Sequence, residues 1–163
     1  MSLEVELGLR KPVALLAHEA LLNTYYTASC LRKKAGEFLR PFGLTDVQFN
    51  LMMLLQHQSA HKEGLTQAQL SAMMLVNRAN ITSLIDRMEK AGLAARTSTP
   101  TDRRYNIIKL TCRGKKLLAR IEPLYAEEVK RIMAALIDTD QRKLIKMLEK
   151  VRRNITGKKV LRK

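Results

Sequence analysis

Asn77, Arg78, Asn80, Thr82, Ser83 and Arg87 gather planar amides, guanidinium groups and short hydroxyls within about three helical turns. An Asn amide matches the N6 and N7 edge of adenine, an Arg fork matches O6 and N7 of guanine, and a hydroxyl reaches a phosphate or a thymine methyl. A plainer use competes at each position: Asn77 is also a good N-cap, and Arg78 is also an ordinary solvated charge. The neighbourhood favours the first use. NRANITSLIDRMEKAG runs directly into a short strand, the turn-like STPTDRRYN and a second strand ending in LTCRG. At that hairpin tip Asp102, Arg103 and Arg104 stand together. Neighbouring cations repel without an anionic partner, and an Arg gains from the concentrated potential of a narrow minor groove. Thr66, Arg96 and Lys109, with Arg113, Lys115 and Lys116, are cast as phosphate contacts, which position a protein on DNA without reading its sequence.

These side chains need elements to hold them, and the apolar spacing supplies mostly helices. A first helix is expected to open near Pro12 and run to about Arg40, where Pro41 and Gly43 stop it. Leu15, Leu16, Leu21, Leu22, Tyr25, Leu31 and Phe38 wrap more than one of its faces, which predicts burial against both its own domain and a partner subunit. Thr45 with Gln48 forms a capping box for a second helix to about Gln58, and Thr66 with Gln69 repeats it for a short third. In the fourth helix Ile81, Leu84, Ile85 and Met88 mark the buried face, and Gly92 ends it. Strands are expected over Leu93–Ser98 and Tyr105–Thr111. A helix follows in which Pro123 marks a kink or a junction, then a last amphipathic helix capped by Asp138 with Gln141. The fold class is mainly α: a winged helix-turn-helix over 45–114, flanked by long N- and C-terminal helices (12–40 and 115–153), in a single domain spanning 1–163.

Composition narrows the function. The 163 residues carry 30 Lys and Arg against 15 Asp and Glu, a net charge of +15, so a polyanion is the natural partner. No stretch has the roughly 18 consecutive apolar residues of a membrane span and the N-terminus lacks a secretory pattern, so a cytoplasmic location without membrane association is expected. Cys30 and Cys112 form no CxxC pair and are expected to be reduced and packed. His57 and His61 share a helical face, yet no third ligand accompanies them, and neither a metal nor a cofactor is expected. An enzyme acting on nucleic acid would need converging carboxylates; Glu127 and Glu128 are adjacent in a helix and point apart.

The wing segment resembles that of the MarR family of winged-helix transcription regulators. Its D-x-R, hydrophobic strand and L-T-x-x-G pattern is met by Asp102, Arg104, Ile108, Leu110, Thr111 and Gly114. Ile81 to Arg96, ITSLIDRMEKAGLAAR, is similar to the end of the family's recognition helix, with Met88 where Leu is usual. The resemblance implies a homodimer built from the first and last helices and bound to a palindromic site on double-stranded DNA. It also implies a small aromatic or phenolic effector, and His18, Tyr25, Tyr26, Phe49 and Met53 are the residues expected to line its pocket. The function expected is a sequence-specific, dimeric, effector-modulated regulator, acting as a repressor. The alternative is a sequence-tolerant architectural protein that coats DNA through charge alone.

Overall fold

The computed structural model describes residues 2–59, 64–74, 78–98 and 106–157. It falls into two compact units, Met1–Leu118 and Ala119–Lys163. The first holds helices α1 (Leu3–Leu7), α2 (Leu16–Leu39), α3 (Asp46–His57), α4 (Gln67–Met74) and α5 (Arg78–Lys90), with strands β1 (Leu65–Thr66), β2 (Ala94–Ser98) and β3 (Asn106–Leu110). Helix α6 (Cys112–Met133) begins in the first unit and continues into the second, which also contains α7 (Asp138–Thr156).

Local chemistry accounts for the boundaries. The backbone N–H of Thr45 donates to Gln48 Oε1 at 2.9 Å and that of Gln48 donates to Thr45 Oγ1 at 3.3 Å, the reciprocal pair that opens α3. Thr66 and Gln69 repeat it at α4, with bonds of 2.8 and 3.2 Å. Gly92, at φ +66°, ends α5 in the left-handed conformation that costs a side chain least when that side chain is absent. Beyond it, the Leu93 N–H returns to the Met88 carbonyl at 2.9 Å.

Between α3, α4, α5 and a small antiparallel sheet lies an apolar core. The sheet order is β1–β3–β2, with Leu65 opposite Ile108 on one side and Arg96 opposite Ile108 on the other. Ile81, Leu84, Ile85 and Met88 are all buried, as their spacing requires, and they join Phe49, Leu51, Met52, Leu55, Leu70 and Ile108. Burying such side chains contributes roughly 1.5–3 kcal/mol each before the entropy of ordering is counted. The polar face of α5 is thereby fixed by its apolar face.

One junction ties this core to α6. Thr111 donates its hydroxyl to the Gly92 carbonyl at 2.6 Å and its N–H to the Leu93 carbonyl at 3.1 Å, while the Gly114 N–H donates to Thr111 Oγ1 at 3.0 Å. The Thr111 hydroxyl thus satisfies one donor in the first turn of α6 and one acceptor at the α5–β2 corner, while its backbone N–H satisfies a second acceptor there. A Cβ at residue 114 would collide with the backbone carbonyl of Leu93. The spacing L-T-x-x-G is therefore a packing requirement.

Several expectations need correction. The first long helix starts at Leu16, not near Pro12, because a separate helix, α1, comes first and closes at Gly8, where the Leu9 N–H returns to the Glu4 carbonyl at 2.9 Å. Pro12 lies in the irregular link that follows. Strand β1 was not expected; two residues show no alternation to read. Pro123 is no junction, since α6 runs through it with the proline ring on an exposed face. Asp138 is the first residue of α7 rather than its cap; Ile137 takes the cap position, and Gln141 Nε2 donates to the Leu136 carbonyl at 2.9 Å. Asp138 and Asp140 still favour that end of the helix by opposing its positive dipole.

The Thr111 junction yields a test by denaturant unfolding. Gly114→Ala should lower stability by about 1–3 kcal/mol through overpacking against Leu93. Gly36→Ala, at a position in α2 where a Cβ meets nothing within 4 Å, should raise it by up to about 1 kcal/mol. Equal effects at the two sites would refute the close approach.

Candidate nucleic-acid interface

Helix α5 presents two opposed faces. Against the buried row of Ile81, Leu84, Ile85 and Met88 stand Asn80, Ser83, Arg87 and Lys90, all exposed. The Nε–H of Arg87 lies 3.3 Å from the Ser83 carbonyl, one turn back. Thr82 is half-buried, and its hydroxyl accepts from Gln67 Nε2 at the start of α4. That bond joins α4 to α5, so Thr82 links the two helices of the helix-turn-helix as well as standing beside the exposed face. Arg78 opens α5, with its side chain outside the described residues, as Asn77, Asp102, Arg103 and Arg104 are altogether.

Arg96, expected as a phosphate contact, is engaged within the protein. Its Nη2 lies 2.6 Å from Asp86 Oδ1, its Nη1 pairs with Glu89 Oε2, and its backbone N–H donates to Glu89 Oε1 at 2.7 Å. The side chain is 25% exposed. Partial burial works against its charge, but the Asp86 hydrogen bond and the charges of Glu89 and Asp86 outweigh it, and the guanidinium is held charged. Asp86 and Glu89 stand three residues apart on α5 and Arg96 lies in β2. A planar fork with several donors can hold both carboxylates at once, where a lysine would hold one. The clamp therefore fixes α5 against β2.

Lys109 is half-buried on β3, and Lys115 is exposed in the first turn of α6. Together with Leu55, Gln56, Ser59, Gly64 and Leu110 they line a concavity of about 200 Å³. Thr66 has its hydroxyl engaged in the α4 cap, 3.0 Å from Gln69 Oε1. Phosphate contact at Thr66 is therefore open only to an oxygen already serving the helix start.

The residues expected around an effector are spread differently. Phe49 is buried in the core and Met53 half-buried on α3, while His18 and Tyr25 are exposed on α2. Tyr26 is half-buried, and its hydroxyl is pushed above the ordinary tyrosine range, first by the charge of Cys30, then by desolvation, Glu6 and a hydrogen bond with Cys30. None of the five lines the concavity at Lys109 or the shallower one bounded by Gly36, Arg40, Gly43, Leu44, Thr45 and Asp46. Both cysteines are exposed, which corrects the expectation that they pack. Cys112 falls between Thr111 and Gly114, which carry the packing of that turn, and Leu39 is the buried residue of the helix that holds Cys30. His57 is exposed and His61 lies outside the described residues. No helix among the described residues is long and apolar enough to cross a membrane.

Sequence reasoning missed Asp86, Glu89 and Gln67 as positioning residues. The carboxylates carried a signal, namely acidic residues at i and i+3 followed by an Arg just past the helix-ending glycine. The Gln67 to Thr82 bond carried none, because it depends on how two helices cross.

Comparison with known proteins agrees with this geometry. A family model described as MarR family matches residues 42–104. The HTH-type transcriptional repressor Rv2887 of Mycobacterium tuberculosis is 30% identical over 138 residues, which cover 83% of this chain and 96% of that protein. A Thauera aromatica protein named for transcriptional regulation of the hcr operon is 31% identical over 111 residues, 68% of this chain and 64% of that protein. Among solved structures, Sco3205 of Streptomyces coelicolor, a MarR family regulator in complex with DNA, superposes with a TM-score of 0.76 at 25% identity, covering 89% of this chain and 92% of that one.

The clamp is open to a double-mutant cycle. Arg96→Ala should destabilise the fold by about 1–2 kcal/mol with Arg96→Lys in between, and Arg96 with Glu89 should show a coupling of about 0.5–3 kcal/mol. Coupling below about 0.3 kcal/mol would reduce the contact to an ordinary surface pair.

Proposed function

Because this chain belongs to the MarR family of DNA-binding transcriptional regulators, we propose that it acts as a homodimeric repressor that reads a palindromic operator. The observation that carries this reading is the division of α5, with Asn80, Ser83 and Arg87 exposed opposite a fully buried apolar row and a two-stranded ribbon, β2–β3, following at once. A helix with one face locked in a core presents the other to a major groove at fixed height and rotation. In this assignment Asn77, Arg78, Asn80 and Ser83 meet base edges, with Asn80 as the principal reader. Arg87 and Lys109 meet phosphates. The Asp102–Arg104 tip reaches the flanking minor groove. Arg96 and Thr82 position the helix instead of touching DNA.

Dimerisation is assigned to the N- and C-terminal helices (12–40 and 115–153), with the winged lobe spanning 45–114. Support comes from large apolar side chains that a single chain leaves in water. Leu16 is 78% exposed on α2 and Ile155 75% on α7, accompanied by Leu15, Leu21, Tyr25, Ile145 and Val151. Covering them with a second copy would also set the distance between two recognition helices, which successive major grooves require to be about 34 Å. Release is assigned to a small aromatic or phenolic effector taken up near Tyr26, Phe49 and Met53, with His18 and Tyr25 at the rim. It acts by favouring a dimer whose helix spacing no longer fits DNA.

Selection from a pool of randomised duplexes tests the reading. The expected product is a palindrome with half-sites about 10 base pairs apart. Recovery of no motif, with equal affinity for all duplexes, would favour a charge-driven architectural protein, the reading that the +15 net charge also permits. Asn80→Ala should cost about 1–3 kcal/mol of discrimination at one base pair per half-site. Arg104→Ala should weaken operator binding at physiological salt, and unchanged affinity there would remove the wing tip from the interface.

A further inference from the structure

The winged lobe does not hold all of the positive charge. In the second unit, α7 (Asp138–Thr156) carries Arg142, Lys143, Lys146, Lys150, Arg152 and Arg153 against the acids Asp138, Asp140 and Glu149. The placement is ordered. Arg142, Lys146, Lys150 and Arg153 recur at i, i+4, i+8 and i+11, which puts them on one face of the helix over about 16 Å. All four are exposed, and among the described residues none has a carboxylate within ion-pair distance. Lys143, at the edge of the stripe, is the one held, by Asp140 at 3.0 Å. Leu144, Leu148, Val151 and Ile155 lie on the opposite side of the helix.

Such a row is unfavourable in isolation. Four like charges one turn apart repel each other, and Asp138 and Glu149, which share their face by spacing, offset only part of that repulsion because neither closes an ion pair with them. Two other exposed cations of this unit are arranged differently: Lys130 and Arg131 each pair with a glutamate three residues back, at 2.8 and 2.7 Å. An anionic partner relieves the repulsion, and a duplex offers one negative charge per about 1.7 Å of axis, on the order of nine charges along the length of the stripe.

We propose that the Arg142, Lys146, Lys150 and Arg153 face of α7 is a second DNA-binding surface, which engages the phosphate backbone of duplex outside the segment read by α5. The proposal rests on the DNA-binding reading above and on α7 giving its apolar face to the dimer. With that face covered, the stripe lacks the apolar insertion that holds a basic amphipathic helix on a lipid surface. Contact through this stripe is sequence-independent. It adds to affinity and to salt sensitivity without altering which bases are preferred. The duplex it meets is either the flank of the same operator or a second segment, and the two differ in stoichiometry.

The test compares three proteins on a selected operator duplex of about 20 base pairs and on the same operator extended to about 60. They are the native chain, a triple variant Arg142→Gln, Lys146→Gln, Lys150→Gln, and a control of equal charge, Arg10→Gln, Lys11→Gln, Lys33→Gln. Glutamine keeps the helix propensity of α7, and light scattering with circular dichroism confirms that each variant remains folded and dimeric. The native chain should gain affinity on the longer duplex, with a log–log salt slope steeper by about 2 to 3, as expected for about three phosphate contacts at 0.9 each. The triple variant should lose that gain while keeping its preference for operator over random sequence, and the control should keep both. A flank contact leaves one dimer per duplex, whereas a second-segment contact appears as two duplexes bridged by one dimer. An undiminished gain and slope in the triple variant, an equal loss in the control, or a stripe-dependent preference for anionic phosphatidylserine vesicles over the long duplex would each overturn the proposal. Loss of sequence preference in the native chain would instead count against the operator reading, and the slopes would still report on the stripe.

Discussion

The guanidinium of Arg96 holds together parts of the molecule that are otherwise joined by a short corner. It takes Asp86 and Glu89 from α5 while sitting in β2, so the helix that presents Asn80 and the strand that leads to the wing share one electrostatic anchor. Exposed ion pairs contribute little alone, because each gives up side-chain freedom for a weak attraction in water. Here the guanidinium is three-quarters shielded although Asp86 is half exposed, and it reaches two carboxylates and is backed by a backbone N–H to Glu89, so geometry is fixed at three points at once. Beneath it the apolar row of α5 sets depth and rotation. Beside it Thr111 and Gly114 bring α6 against the same corner. A recognition helix needs all of these, because a readout based on hydrogen bonds of about 3 Å tolerates little drift.

Charge in this chain divides into two kinds of use. Arg96, Lys130, Arg131 and Lys143 are paired with carboxylates and act on the protein itself. Asn80, Ser83 and Arg87 on α5, and the basic stripe on α7, face outward. The difference was hidden in the net charge of +15, which adds both kinds without distinction. It emerges from which cations close an ion pair with an acid of the folded chain and which do not. In the proposed assignment the outward face of α5 reads bases and the α7 stripe meets only phosphates, so their substitution would separate specificity from affinity.

Much of the winged lobe was legible in the sequence because its signals are local. Capping boxes at Thr45 and Thr66, the apolar row of α5 and the stop at Gly92 each depend on residues within one or two turns, and each was found where the spacing placed it. Membership of the MarR family was legible for a related reason. The motif around Thr111 and Gly114 encodes a close approach in which the Thr111 hydroxyl bridges two backbone groups and a Cβ at 114 would not fit. What escaped depended on distance or on competition. Strand β1 is two residues long and exists because β3 offers it a partner. The partners of Arg96 went unread because a sequence shows its charge and not the two acids folded against it. The cysteines were expected to pack as cysteines commonly do, yet Cys30 lies on α2, where Leu39 is the buried residue, and Cys112 occupies a motif position whose neighbours carry the packing.

The exposed cysteines also set the terms of the most direct measurement. With Cys30 and Cys112 replaced by serine, Ser83→Cys would place a single thiol on the outward face of α5, to which an iron chelate can be tethered for cleavage of bound operator. If α5 enters the major groove as assigned, strand scission should fall on two short clusters related by the palindrome and separated by about one helical turn. Cleavage spread evenly along the duplex, or a single cluster with no symmetry mate, would contradict the placement of α5 on which the account depends.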